Sequence, residues 1–212
     1  MTRPASVRHE LRAATAPIHL RLHRHPGLSA AARGAIELAD YRQLLMRLYG
    51  FHQAFEDICA SAVRTLSLVA GSRAGLIEHD LAALGMRGAE ISRLPLCVMP
   101  RHPLNEGAAL GALYVVEGSA LGGAQIAQAL APVVGEARRF FLGCPSRRDV
   151  WPNLLARLDA LAPEAQRIGA IEAAVETFHL FEDWMQDWRA PSAYAGRAPI
   201  DARCETKGEV PT

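Results

Sequence analysis

Apolar residues recur every three to four positions along most of the chain, while runs that alternate with period two are almost absent. No Asn-Gly hairpin turn interrupts them. This pattern predicts an all-α fold, and the breaks in it divide the helices. A first helix is expected from about Ser6 into the low twenties, with Thr15 capping internally or the axis bending at Pro17, and with a stop at Pro26-Gly27. A second is expected over 38–66, with Gly50 as its weak point, and a third over 75–84, closed by Gly85. Residues 93–103 contain three prolines and read as a connector. Helices are then expected over 107–130, 136–142, 150–161 and 163–187, with a break at 132–135 and a CPSRRD turn before Val150. From Pro191 the composition turns to Pro, Ala, Gly and charge, which predicts a helical domain over 1–190 and a disordered tail over 191–212.

The 107–130 segment, GAALGALYVVEGSALGGAQIAQAL, is unusual within this frame. Gly107, Gly111, Gly118 and Gly122 are spaced four, seven and four apart, and Gly123 follows. On one continuous helix they would share a face. Glycine inside a helix costs about 1 kcal/mol against alanine, so the stripe implies that something approaches the backbone closely. A second helix, a membrane partner and a flat ligand would each meet that description. The segment is long enough to span a bilayer, yet Glu117 sits at its centre, Gln125 and Gln128 follow, and the chain has no second apolar span. The N-terminus MTRPASVRHELRAAT also has no apolar core of a signal peptide. No membrane span is therefore expected.

Composition narrows the classes further. The 212 residues are half hydrophobic, enough for one buried core, and the formal charge of +1 gives no general attraction to nucleic acid or anionic lipid. Cys59, Cys97, Cys144 and Cys204 stand far apart without a CxxC pair, so neither a zinc site nor a disulfide framework is indicated, and a reducing cytoplasm fits best.

Two histidines on the first helix, His19 and His23, are spaced to chelate a metal, and His25 follows. The intervening Leu20, Arg21 and Leu22 complete no known signature, and on spacing alone surface or capping roles are the simpler reading. Combined with a glycine face elsewhere, an inward histidine suggests a flat macrocycle held between two helices. Close helix packing through the same glycines explains the stripe equally well. The Phe178, Phe181, Trp184 and Trp188 stripe reads as core rather than as a ligand wall, and His52, His79, His102 and His179 carry no supporting context.

Four segments, taken in order, resemble the bacterial haem oxygenases often encoded beside bacteriophytochromes. They are LRAATAPIH (Leu11 to His19), LYVVEGSALGG (Leu113 to Gly123), GEARRFFLG and the tryptophan after it (Gly135 to Trp151), and ETFHLFEDWM (Glu176 to Met185). Together they cover the chain up to about Trp188. The resemblance implies a compact helical fold with haem between a proximal and a distal helix. It also implies His19 as axial iron ligand, Gly118 and Gly122 over the haem, and Gly123 continuing the motif. The implied reaction opens haem to biliverdin, carbon monoxide and ferrous iron. It uses molecular oxygen and electrons from a separate donor such as a ferredoxin or flavin reductase, and it would serve either to pass biliverdin to a bacteriophytochrome or to release iron for nutrition.

Arg12 shares the face of His19 two turns back and matches a basic position of relatives, so it is the expected propionate partner ahead of Arg8. The Arg138-Arg139 and Arg147-Arg148 pairs are expected to be solvated, or to face a reductase. One departure stands out. Many members carry an aspartate after the first distal glycine to order water, where this chain has Ser119, which cannot supply a carboxylate's charge. Glu117 has the wrong helical phase to replace it. A non-catalytic haem carrier or sensor of the same fold therefore stays open, as does a helical interaction module that uses its glycines only for packing.

Overall fold

The computed structural model describes residues 6–66, 71–100, 105–143 and 149–189, and among them every regular element is helical. α1 (Val7–His23) buries Val7, Leu11, Thr15, Ile18 and Leu22, the three- and four-residue spacing of one helical face. It continues through Pro17. Thr15 is not an internal cap, because its hydroxyl donates to the Leu11 carbonyl at 2.7 Å instead of accepting an amide.

Pro26-Gly27 does not merely stop α1 but starts α2 (Pro26–Ala32). His25 is the cap: its Nδ1 accepts from the Leu28 amide at 3.2 Å, and its Nε2 donates to the Met185 carbonyl at 3.0 Å. Proline at the first helical position loses an amide that no helix would have satisfied. α3 (Leu38–Thr65) is continuous across Gly50, where a side chain would strike the Pro95 carbonyl and the Trp184 ring. The glycine admits the connector, whose Cys97 amide donates to the Gly50 carbonyl at 3.0 Å.

α4 (Arg73–Ala83) has its first amides satisfied by Glu56 of α3, which accepts from Arg73 and Ala74 at 2.6 and 3.0 Å. It ends as the sequence predicts, at Gly85 with φ +84°. α5 (Gly88–Ile91) is one turn. α6 (Glu106–Gly118) and α7 (Gly123–Val134) replace the single helix expected over 107–130, with a 3-10 turn at Ser119–Gly122 between them. The Ser119 hydroxyl donates to the Val116 carbonyl at 2.7 Å, and glycines flank the turn on both sides. Side-chain competition for a ladder carbonyl, beside residues of low helix propensity, is sufficient cause for the change of pitch.

α7 passes Pro132 and stops at Gly135. α8 (Arg139–Leu142) is capped by buried Asp80, which accepts from the Arg139 and Phe140 amides at 2.8 and 2.9 Å. α9 (Val150–Asp159) and α10 (Glu164–Gln186) complete the fold. The expected tail, the turn containing Cys144, Arg147 and Arg148, and His102 in the connector lie outside the described residues.

The core forms two clusters. One joins α1, the second half of α3, α6, α9 and α10, and the other joins α2, the first half of α3, α4, α7 and α8. Leu28, Phe181 and Trp184 pack against both. Trp184 is pinned to α3 by a reciprocal pair: its indole donates to the Arg47 carbonyl at 2.7 Å, and Arg47 Nε donates to the Trp184 carbonyl at 2.8 Å. Cys59 and Cys97 are buried free thiols, and burial pushes Cys59 up to about 12, so it stays protonated.

Candidate haem site

A cavity of about 320 Å³ opens at the seam between the two clusters. Its walls are mainly apolar: Leu22 of α1, Leu28 of α2, Leu48 and Phe51 of α3, Val115 and Val116 of α6, Ile126 of α7, Phe140 and Phe141 of α8, and Phe178 and Phe181 of α10. Polar groups are few. His19, His23, Ser119 and Gln125 line its exposed side beside half-buried Ser29, and His52 and Arg73 line it where the protein is most closed, at 4% and 5% exposure.

His19 comes from α1, one turn beyond the buried Thr15 and next to Ile18. Its pKa is lowered from 6.5, first by partial burial and then by the neighbouring His23, whose ring lies 4.5 Å away at 81°. Both causes favour the neutral imidazole, the form that binds metals. His19 also meets the Phe178 ring edge-on at 6.1 Å.

The glycines divide among four neighbours. A Cβ on Gly107 would strike the Gln166 carbonyl, and one on Gly111 the Ala170 carbonyl, so these two exist for the α6–α10 contact. On Gly118 it would meet the Trp151 ring at 3.3 Å, and Gly118 does not line the cavity. On Gly122, which lines the cavity, it would meet nothing within 4 Å. Gly123 lines the cavity as well, but its missing side chain makes room for the Phe141 carbonyl.

A slot with apolar walls, an exposed neutral imidazole and a bare stretch of backbone matches a planar ligand with a metal at its centre. Residues 5–187 match the family profile described as Heme oxygenase. The chain belongs to the haem oxygenase family. Its fold is similar to that of haem oxygenase from Leptospira interrogans, with a TM-score of 0.71 and 17% identity over 86% of this chain and 100% of that one. It is also similar to the NO- and CO-bound haem oxygenase of Neisseria meningitidis, with a TM-score of 0.65 and 22% identity over 90% of this chain and 95% of that one. Among curated proteins no sequence matches significantly. No helix among the described residues is long and apolar enough to cross a membrane.

The structure brings together His19, Ser119, Gly122 and Gly123, and it places Gly118 and Arg12 outside the cavity lining. Arg12 is exposed, close enough to Tyr114 to oppose the rise that burial gives its phenol, and Tyr114 in turn contacts Trp151 at 5.3 Å. Arg8 is committed elsewhere, to Asp159 of α9. Glu117 is buried and absent from the lining, in keeping with its helical phase. The aromatic stripe of α10 is both core and wall: Phe178 and Phe181 line the cavity, whereas Trp184 and Trp188 pack away from it.

His52, Arg73 and the α2 wall were not legible in the sequence. His52 packs on Phe140 at 5.2 Å, and the Arg73 guanidinium lies over the same ring at 4.5 Å. A histidine and an arginine on neighbouring helices, 21 positions apart, carry no local pattern. Only the burial of two polar side chains beside one cavity distinguishes them.

Proposed function

We propose that this chain binds haem in the seam cavity, with His19 as axial ligand, and opens it to biliverdin, carbon monoxide and ferrous iron. Membership of the family supports haem degradation, and the observation that carries the assignment is that His19 and Gly122, from separate helices, line one apolar cavity. Haem is both cofactor and substrate: its iron supplies the oxygen activation, and the ring itself is what is oxidised.

The protein's own residues have distinct tasks. His19 offers a neutral nitrogen rather than a thiolate and fixes the centre of the macrocycle. Gly122 leaves the backbone bare, so the ring and a small diatomic have room where a side chain would exclude them. The seven flanking rings and aliphatic groups of α3, α7, α8 and α10 keep bulk water out. Ser119 spends its hydroxyl proton on the Val116 carbonyl, which leaves the oxygen free to accept from a water. His52 and Arg73 supply the buried polar groups of the lining and take over the water-ordering that a carboxylate at position 119 would provide. Arg12, exposed on the same helix as His19 but outside the cavity lining, is the partner for a propionate that extends beyond it. Electrons come from an external ferredoxin or flavin reductase in the cytoplasm, and biliverdin is passed to a bacteriophytochrome.

The test is one equivalent of haemin followed in the visible spectrum under air with ascorbate and catalase. Loss of the Soret band with growth of biliverdin absorption is the expected result. A stable Soret band would overturn ring opening and leave the haem carrier or sensor that Ser119 keeps open. No band would overturn haem binding and leave Gly107, Gly111, Gly118 and Gly123 with packing roles alone.

A further inference from the structure

We propose that His19 and His23 together form a transient binding site for the ferrous iron released when haem is opened. The source of the ion rests on the haem-opening reading, but the site stands on its own geometry. Both rings line the cavity, one helical turn apart on α1, with centroids 4.5 Å apart and planes at 81°. With a metal–nitrogen distance of about 2.1 Å and a ring centre about 1.1 Å further out, two imidazoles in cis positions on one ion have centroids about 4.5 Å apart. The observed separation equals that of such a cis pair, and the four-residue spacing on α1 keeps both rings on one face of the helix.

His25, the third histidine of the cluster, is excluded because both its ring nitrogens are already bonded to backbone. No group of three or more His, Cys, Asp or Glu side chains that could hold a metal exists among the described residues, so water must complete the coordination. Two imidazoles with water make a site suited to passing an ion on rather than storing it.

In the step itself, the ferrous ion breaks its bonds to the four tetrapyrrole nitrogens, two of which take protons from solvent water. The ion keeps His19 and gains His23 and water. No electron moves. The ion thereby reaches the exposed side of the cavity before it leaves.

Cobalt(II), which is stable in air, reads the site in the haem-free protein through its d–d spectrum, with anaerobic ferrous ion as the second probe. The native protein should bind one equivalent, and His23→Ala and His23→Gln should each weaken binding by about tenfold or more as the chelate is lost. His19→Ala should weaken it similarly. Equal binding by native and His23 variants would mean an adventitious ion only and would overturn the proposal. In a single turnover, capture of iron by ferrozine should lag behind biliverdin formation, and the lag should shorten in His23→Gln. Absence of a lag in the native protein would also overturn it. If haem opening fails while two-histidine cobalt binding persists, the functional reading falls and the metal site remains.

Discussion

At Gly107 and Gly111 the missing side chains let α6 press on the backbone of α10, whereas Gly122, which lines the cavity, has open space where a side chain would be. All three belong to the same series of glycines spaced four, seven and four apart. The 3-10 turn at Ser119–Gly122 changes the helical phase between them, so a stripe that would be one face on a straight helix becomes two surfaces. The first is a packing seam, where the energy of a glycine lies in protein–protein contact. The second is a floor for a ligand, where the glycine contributes nothing until the ligand arrives. Stability and binding should therefore respond oppositely to the same chemical change.

The largest effect is expected on the packing seam. Gly111→Ala drives a methyl into the Ala170 carbonyl, and relief requires α6 and α10 to separate along the contact. Overpacking of that kind costs about 3 kcal/mol, which for a chain of this size lowers Tm by about 6–12 °C. Thermal unfolding checks it. Unchanged stability would mean that the two helices slide freely. Gly122→Leu is the counterpart on the floor: its unfolding midpoint should match the native protein, while haemin affinity, read by Soret titration, falls by about tenfold or more as the side chain fills the ligand's place. Gly122→Ala sharpens the contrast, since a helical φ of −86° and open space allow a gain of about 0.5–1 kcal/mol from the stiffer unfolded chain. Gly118→Ala lies between the two. Its methyl would press on Trp151 at 3.3 Å, a ring that can shift, so the expected loss is about 1 kcal/mol or less, with haem binding preserved.

The smallest effect is a pH dependence outside both surfaces. His25 has its pKa lowered from 6.5 by burial, against an opposing bond to the Met185 carbonyl, and protonation would occupy the Nδ1 that caps Leu28. The folded chain thus takes up this proton less readily than the unfolded chain. The contribution is complete above pH 6.5 and is lost as pH falls from there through the folded value. Thermal unfolding should weaken across that window, and His25→Asn, a cap without a titratable ring, should remove that part of the slope.

Much of this was legible before the fold was known. The 3.6-residue period carried the helices, Gly85 ended α4 as expected, and the motifs around His19 and Gly118–Gly123 pointed to haem. What escaped was the consequence of geometry that periodicity assumes rather than measures. The resemblance placed Gly118 over the ligand with Gly122, but Gly118 ends α6 before the 3-10 turn and faces Trp151, whereas Gly122, at the far end of the turn, lines the cavity. Pro26-Gly27 read as a stop because a histidine cap is a weak local signal, and the α2 wall was lost with it. His52 and Arg73 converge from separate helices, so no window of sequence contains both. Their closeness to one cavity is a product of packing.

The most direct test of the account is the visible spectrum of the ferric haem complex in native protein and in His19→Ala. The native complex should show a histidine-ligated Soret band, and the variant should lose that ligation and recover it with added imidazole. An unchanged spectrum in His19→Ala would contradict the account, because the iron would then be held by a residue other than the one α1 presents to the cavity.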